Sequence, residues 1–151
     1  MNLKRGGLVV AIVLFAILFF INRGAIELSS QTNFTCTKIA TNGYQLNSTL
    51  TLKSPNLLSS TIQSVNEKFY INGKYIGELN NELAQGIPGL KETQFPLTIR
   101  FSAEELAQIF PTQLPAAGKA LITVTGQITF SNFTGSGTLN INETDSVTFI
   151  N

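Results

Sequence analysis

The sequence predicts an all-β domain, an antiparallel β-sandwich with one short helix, behind an N-terminal transmembrane helix. Three observations predict it. Apolar and polar residues alternate in several segments, an Asn-Gly pair lies between two β-prone runs, and fourteen consecutive apolar residues stand near the N-terminus. Alternation with a period of two is typical of strands with one buried face. Roughly seven such strands, separated by turns, suit a sandwich of about 120 residues.

The N-terminal apolar run, Leu8 to Ile21, is uncharged. It is either a cleaved signal peptide or an uncleaved signal anchor. Cleavage after Ala25 would put Arg23 where a small residue is required, which favours the anchor. Spanning takes about 17–25 residues, so we expect a helix over about 7–26, with Arg23 reaching the headgroups. The anchor residues are Leu8, Val9, Ile12, Leu14, Phe15, Leu18, Phe19, Phe20 and Ile21.

The flanking charges predict the orientation of this anchor. Lys4 and Arg5 precede the run, whereas Arg23 follows it with Glu27 close behind. Cytoplasmic flanks carry the excess of cations. We therefore expect the N-terminus in the cytoplasm and the C-terminal part outside it, in a periplasmic, extracellular or virion setting.

The character of the chain changes after the anchor. Nearly all of the 17 Thr, 14 Asn and 11 Ser lie beyond it. We expect three segments: a signal anchor over 1–28, a polar linker over 29–35 and the β-sandwich domain over 36–151. A domain of that length can bury enough surface to fold without disulfides.

Strand patterns are clearest at 46–52, 95–101 and 122–130. In the last of these, Gly126 predicts a bulge or a close backbone contact. The segment 139–149 predicts a final hairpin that turns at 143–146.

One turn and one helix are marked by local residues. Asn72 and Gly73 suit the two positive-φ positions of a type I′ turn. A helix is predicted over Ala103–Phe110, where Ser102 and Glu105 can form a capping box.

The composition excludes several classes of chemistry. There is no His and one Cys, so neither His-based nucleophilic catalysis nor a zinc or iron–sulfur site can form. A formal charge of +1 is too small to gather nucleic acid. We expect no enzyme activity, no cofactor and no nucleic-acid partner. Cys36 is expected to be a buried small hydrophobe, with an intermolecular disulfide as the alternative.

Few polar residues form a candidate site. Glu143 and Asp145 could hold a weak cation or belong to a solvated turn, and we expect no metal site. Four N-x-S/T sequons, where about 2.6 are expected by chance, are possible glycosylation sites only in a eukaryotic secretory protein. They are Asn33, Asn47, Asn132 and Asn142.

The segment Leu50–Gly77 reads LTLKSPNLLSSTIQSVNEKFYINGKYIG. It resembles the water-stress-and-hypersensitive-response (WHy) domain of the group-2 late embryogenesis abundant proteins. That family has an apolar strand, an Asn-Pro-Asn turn, a further strand and a hairpin that ends in Gly. Here Ser54 replaces the first Asn of the turn, and Ser also initiates turns.

The resemblance covers about 36–149. It implies a fibronectin-III/immunoglobulin-like sandwich without catalytic residues, often tethered by one transmembrane segment. It also implies stress tolerance and a membrane-proximal role.

Three functions are therefore considered. The leading one is a membrane-anchored, non-enzymatic module with a structural, protective or interaction role, bound to the bilayer by its N-terminal helix and to protein partners at the membrane surface. The second is a structural subunit of a larger membrane or virion assembly. The third is a glycan- or lipid-binding sandwich whose contacts are Tyr44, Tyr70 or Tyr75.

Overall fold

The computed structural model describes residues 3–40, 42–114 and 120–150. The first element is a helix, and the others form a β-domain. In chain order they are α1 (Leu3–Ile21), β1 (Glu27–Ala40), β2 (Gly43–Lys53), β3 (Ser60–Ile71), β4 (Lys74–Ile87), β5 (Glu92–Ser102), α2 (Ala103–Ile109), β6 (Ala120–Asn132) and β7 (Gly135–Ile150).

The seven strands form one mixed sheet in the order β4-β3-β6-β7-β1-β2-β5. The sheet is nearly barrel-shaped. Neighbouring strands pair antiparallel, as expected, except β1 and β7, which pair in parallel from Thr35–Thr148 to Thr37–Ile150. The sheet is mixed because β7 leaves β6 after Val147 and continues beside β1.

The core lies inside the curled sheet. Alternate residues of the strands point into it, and fully burying each large aliphatic or aromatic side chain is worth about 1.5–3 kcal/mol. The largest buried strand residues are Leu46, Leu50, Leu52, Ile62, Phe69, Ile71, Ile76, Ile87, Ile122 and Ile128. Cys36 is also buried and free, as expected for a small hydrophobe.

The predicted turn and helix are confirmed. Asn72 and Gly73 have φ values of 48° and 79°, as a type I′ turn requires. The Ser102 hydroxyl accepts from the Glu105 N–H at 3.2 Å, and the Ser102 N–H donates to the Glu105 carboxylate at 2.7 Å. This capping box starts α2 at Ala103.

Two sequence predictions about the β-domain are wrong. The segment 29–35 is part of β1 and not a linker, because its backbone pairs with β2. The expected turn at 143–146 is absent from β7, which runs unbroken from Gly135 to Ile150. There the buried Ile141 and Val147 continue one alternating face, so the polar residues between them fit a strand.

The N-terminal helix also differs from the expectation. α1 ends at Ile21, and residues 22–26 leave it to join the β-domain, where Ile26 is buried in the core. The anchor helix therefore does not extend over the expected 7–26. Within 3–40, 42–114 and 120–150, no helix has both the length and the apolar character needed to cross a membrane.

Gly126 makes the close contact that the sequence predicts. A Cβ there would lie 2.0 Å from the Asn66 carbonyl oxygen and 2.8 Å from the Glu67 Cα, both on β3. Gly126→Ala should therefore lower the free energy of unfolding by about 3 kcal/mol, because strand backbone must move to admit the methyl group. Urea unfolding of the full chain in detergent measures this change.

The matched control is Gly86→Ala on β4. There the nearest atom to an added Cβ is the Ser60 carbonyl oxygen at 4.0 Å, so the change should stay within about 0.5 kcal/mol. Equal effects of the two substitutions would contradict the close strand contact.

Candidate functional site

The helix α1 presents apolar side chains around its whole circumference. Of the nine predicted anchor residues, Leu18 is half-buried and the other eight are exposed, from 39 % at Phe19 to 62 % at Leu8. A helix that is apolar on every face needs an apolar environment on every face. The structure thus brings all nine residues together on one exposed element.

The end of α1 is tied to the β-domain by Asn22. This side chain is fully buried, and its amide nitrogen donates to the Leu18 carbonyl at 2.7 Å. Its amide oxygen accepts from the Leu58 N–H, in the loop between β2 and β3, at 2.6 Å. One side chain therefore ends the helix and attaches it to a loop.

Gly24 is held by two asparagines. Asn56, which is 1 % exposed, accepts from the Gly24 N–H at 2.9 Å and donates to the Gly24 carbonyl at 2.8 Å. Asn132 donates to the same carbonyl at 3.2 Å. A Cβ at Gly24 would lie 2.7 Å from Pro55, so only glycine fits against this turn. We call residues 22–26 and these partners the anchor junction.

The anchor junction leaves little freedom between helix and domain. Both backbone polar groups of Gly24 are paired to the loop between β2 and β3, and Ile26 packs into the core two residues later. Two aromatic contacts extend it along the helix. The rings of Phe15 and Phe133 are 5.9 Å apart, and the Arg23 guanidinium lies 5.0 Å from the Phe20 ring centre.

The four sequons lie on four different strands, β1, β2, β6 and β7, and only Asn33 and Asn47 are at neighbouring positions of paired strands. Asn33 and Asn142 are exposed. Asn47 is half-buried, and its oxygen accepts from Gln45 and from Thr98, both at 2.9 Å. The Asn132 amide is engaged in the anchor junction.

The three tyrosines are also divided. Tyr70 and Tyr75 pack against each other beside the Asn-Gly turn, with ring centres 5.8 Å apart. Tyr44 instead stacks on Phe101, in the β2–β5 pair, at 6.0 Å. They do not form a common aromatic surface of the kind a glycan would stack on.

A buried polar cluster lies inside the β-domain. Gln31, Ser48 and Glu67 are 2 %, 5 % and 1 % exposed. The Gln31 amide nitrogen donates to the Glu67 carboxylate at 3.0 Å and to the Ser48 hydroxyl at 3.2 Å. The cluster therefore links β1, β2 and β3 through the interior.

Two oxygens of this cluster have no hydrogen-bond partner among the residues that the structure describes. They are Oε1 of Gln31 and Oε1 of Glu67. Burial raises the pKa of Glu67 from 4.5 to about 7, although the Gln31 hydrogen bond acts in the opposite direction. Protonation of the carboxyl group turns one of its two oxygens from a hydrogen-bond acceptor into a donor.

Sequence reasoning missed both members of this pair. Gln31 lies in the segment 29–35, which the sequence predicts as an exposed linker, so the sequence gives no sign of its burial. Glu67 could have been found, because it shares strand parity with the buried Val65, Phe69 and Ile71. A carboxylate on the apolar parity of a strand is unusual enough to indicate a paired or protonated group.

The remaining polar groups offer little chemistry. Over the three described ranges, no three His, Cys, Asp or Glu residues come close enough to hold a metal ion. Glu143 and Asp145 are both half-buried on β7, and the Asp145 carboxylate accepts from the Ser146 N–H at 2.7 Å. Burial raises the pKa of the Cys36 thiol to about 12, which keeps it protonated and a poor nucleophile.

Comparison with known proteins shows the fold alone. No family model and no curated protein sequence matches the chain. The solution structure of an Arabidopsis thaliana protein is similar with a TM-score of 0.59 at 14 % identity, covering 89 % of this chain and 98 % of that one. The crystal structure of an Archaeoglobus fulgidus protein is similar with a TM-score of 0.58 at 11 % identity, covering 81 % of this chain and 97 % of that one.

The buried carboxyl group predicts that the protein loses stability as pH rises. The folded-state pKa of Glu67 lies above its ordinary value, so the folded state binds the proton more tightly than the unfolded state. The stabilisation is complete below pH 4.5 and is lost as pH rises through about 7. At about 1.4 kcal/mol per pKa unit, the loss is about 3 kcal/mol, measured by urea unfolding of the full chain at each pH.

Two variants isolate this effect. Glu67→Gln should remove most of the pH dependence, because a neutral amide replaces the titrating group. Glu78→Gln, at an exposed carboxylate on β4, should keep the wild-type dependence. If Glu67→Gln and the wild type lose stability in parallel between pH 5 and pH 8, the assignment to Glu67 is wrong.

Proposed function

We propose that this protein is a membrane-anchored, non-enzymatic β-sandwich module with a structural, protective or interaction role. One observation carries the proposal. Eight of the nine predicted anchor residues of α1 are exposed, and α1 continues directly into the anchor junction. A lipid bilayer would remove this apolar surface from water. The anchor junction would then hold the β-domain rigidly at the membrane.

The fibronectin-III-like arrangement is part of this proposal. The strands fall into two groups, β4-β3-β6-β7 and β1-β2-β5, joined where β7 passes from β6 to β1. The bond between Gln31 on β1 and Glu67 on β3 crosses the interior, which supports two facing layers.

We further propose a WHy-like module, and the turn that resembles that family supports this. Its third residue, Asn56, is the side chain that holds Gly24. The family feature and the attachment of the anchor thus depend on the same residue. We include in this proposal a role in stress protection and binding to protein partners at the membrane surface.

Membrane anchoring predicts that the protein floats with lipid vesicles. The full chain, reconstituted with phosphatidylcholine by detergent removal, should migrate with the vesicles in a density gradient. Val13→Arg combined with Ile17→Arg should lower the floating fraction at least tenfold, because each Arg costs about 2.5–3.5 kcal/mol in an apolar helix. Leu121→Arg is the control, since Leu121 is as exposed as Val13 but lies on β6.

Flotation of the double-Arg variant to the same extent as the wild type would overturn anchoring by α1. A variant that fails to fold is recognised by a changed far-ultraviolet circular dichroism spectrum and is replaced by Val13→Ser with Ile17→Ser.

Although no helix of the described residues has the usual length and apolar character of a membrane span, we propose that α1 places the β-domain on the extracytoplasmic side, which the cations Lys4 and Arg5 support. In intact cells, a membrane-impermeant maleimide should label Lys38→Cys, an exposed position on β1. The native chain, with Cys36 buried, is the unlabelled control. Labelling of Lys38→Cys only after permeabilisation would reverse the orientation.

A further inference from the structure

Three loops lie at the end of the β-domain that meets α1. They connect β2 to β3, β4 to β5 and β6 to β7, and we call them the anchor-end loops. Each carries exposed apolar side chains, which are Leu57 (53 %), Leu58 (39 %), Leu90 (60 %) and Phe133 (41 %). An exposed Leu alone is ordinary, but four exposed apolar side chains in the loops at the end where an apolar helix is attached are unusual.

One of these side chains reaches well along α1. The Phe133 ring lies 5.9 Å from the ring of Phe15, which precedes the helix end at Ile21 by six residues. At 1.5 Å per residue, this is about 9 Å along the helix axis. A bilayer that covers Phe15 must therefore also cover the tip of the β6–β7 turn.

The other loops are held rigidly in place. The Leu90 N–H donates to the carbonyls of Ser54 at 3.1 Å and Asn56 at 3.0 Å, so two of the loops are hydrogen-bonded to each other. These bonds hold Leu90 at a φ of 58°, which is unfavourable for leucine, while its side chain stays exposed. A Cβ at Gly89 would lie 2.1 Å from the Leu57 carbonyl oxygen, so these two loops are in close contact.

Exposed cations lie beside the apolar tips. Arg23 follows the end of α1, and Lys91 follows Leu90. Long basic side chains can place their alkyl parts against lipid and their charges at the phosphate level. Apolar loop tips would therefore contact the acyl chains of a phospholipid bilayer, and the neighbouring cations would contact its phosphate groups.

We propose that the anchor-end loops form a second membrane contact, in which Leu57, Leu58, Leu90 and Phe133 insert into the lipid around α1. This inference rests on the proposed anchoring by α1 and adds the position of the β-domain, which then sits directly on the bilayer. Lipid is the occupant, because the tips lie at the end of the β-domain to which α1 is attached, and the Phe133 ring contacts the exposed apolar surface of α1 at Phe15.

Site-directed fluorescence tests the proposal. Leu57→Cys, Leu90→Cys and Phe133→Cys are each labelled with an environment-sensitive fluorophore in the full chain, reconstituted in phosphatidylcholine–phosphatidylglycerol vesicles. The buried Cys36, whose pKa burial raises to about 12, stays unlabelled. Val13→Cys on α1 is the positive control. Leu121→Cys on β6 is the negative control, because Leu121 is 54 % exposed and its N–H donates to Asn72, in the turn at the opposite end of the domain.

We expect lipids brominated near the headgroup to quench the loop labels at least twofold, and lipids brominated in the middle of the acyl chains to quench the Val13 label, which lies deeper along α1. Both lipids should leave the Leu121 label unchanged. Quenching of Val13 without any quenching of the loops would overturn the second contact and keep the anchor. Absence of quenching at Val13 as well would overturn both proposals. Energy transfer between loop labels on different molecules, without lipid quenching, would identify a second copy as the occupant and would also overturn the proposal.

Where Leu90→Cys fails to fold because of its backbone conformation, Leu57→Cys and Phe133→Cys carry the test unchanged.

Discussion

The pairing of Asn56 with Gly24 is the interaction on which the attachment of α1 to the β-domain depends. One buried amide binds both the N–H and the carbonyl of a single glycine, so the chain is fixed in position and direction as it leaves the helix. The buried Asn22 holds the preceding turn, and Ile26 enters the core two residues after Gly24. Because buried polar groups without partners are costly, each of these bonds is needed once the segment is enclosed.

A different kind of polar contact organises the interior. Gln31 and Glu67 join strands from the two proposed layers, and burial raises the pKa of the Glu67 carboxyl group to about 7. An apolar pair would pack there without this cost. The retained carboxyl group makes the interior sensitive to pH, whereas the anchor junction uses only neutral amides.

Local signals were predictable from the sequence. The Asn72–Gly73 turn, the capping box at Ser102 and the contact at Gly126 each depend on the conformational needs of one or two residues. The strand character of 29–35, the unbroken β7 and the end of α1 at Ile21 depend instead on partners distant in the chain. Gln31 is buried beside two hydrogen-bond partners, Ser48 and Glu67, which follow it by 17 and 36 residues. No local pattern carries that information.

The parallel pairing of β1 and β7 has a kinetic consequence. Thr35 lies beside Thr148, a separation of 113 residues, so one edge of β1 stays open until the last strand arrives. Closing contacts between such distant segments is slow, and an open strand edge can pair with other chains meanwhile. If the chain is held at a membrane, the open edge of β1 can meet other folding chains only within the plane of that membrane. Crowding on the membrane, more than concentration in solution, would then set the risk of misassembly during folding.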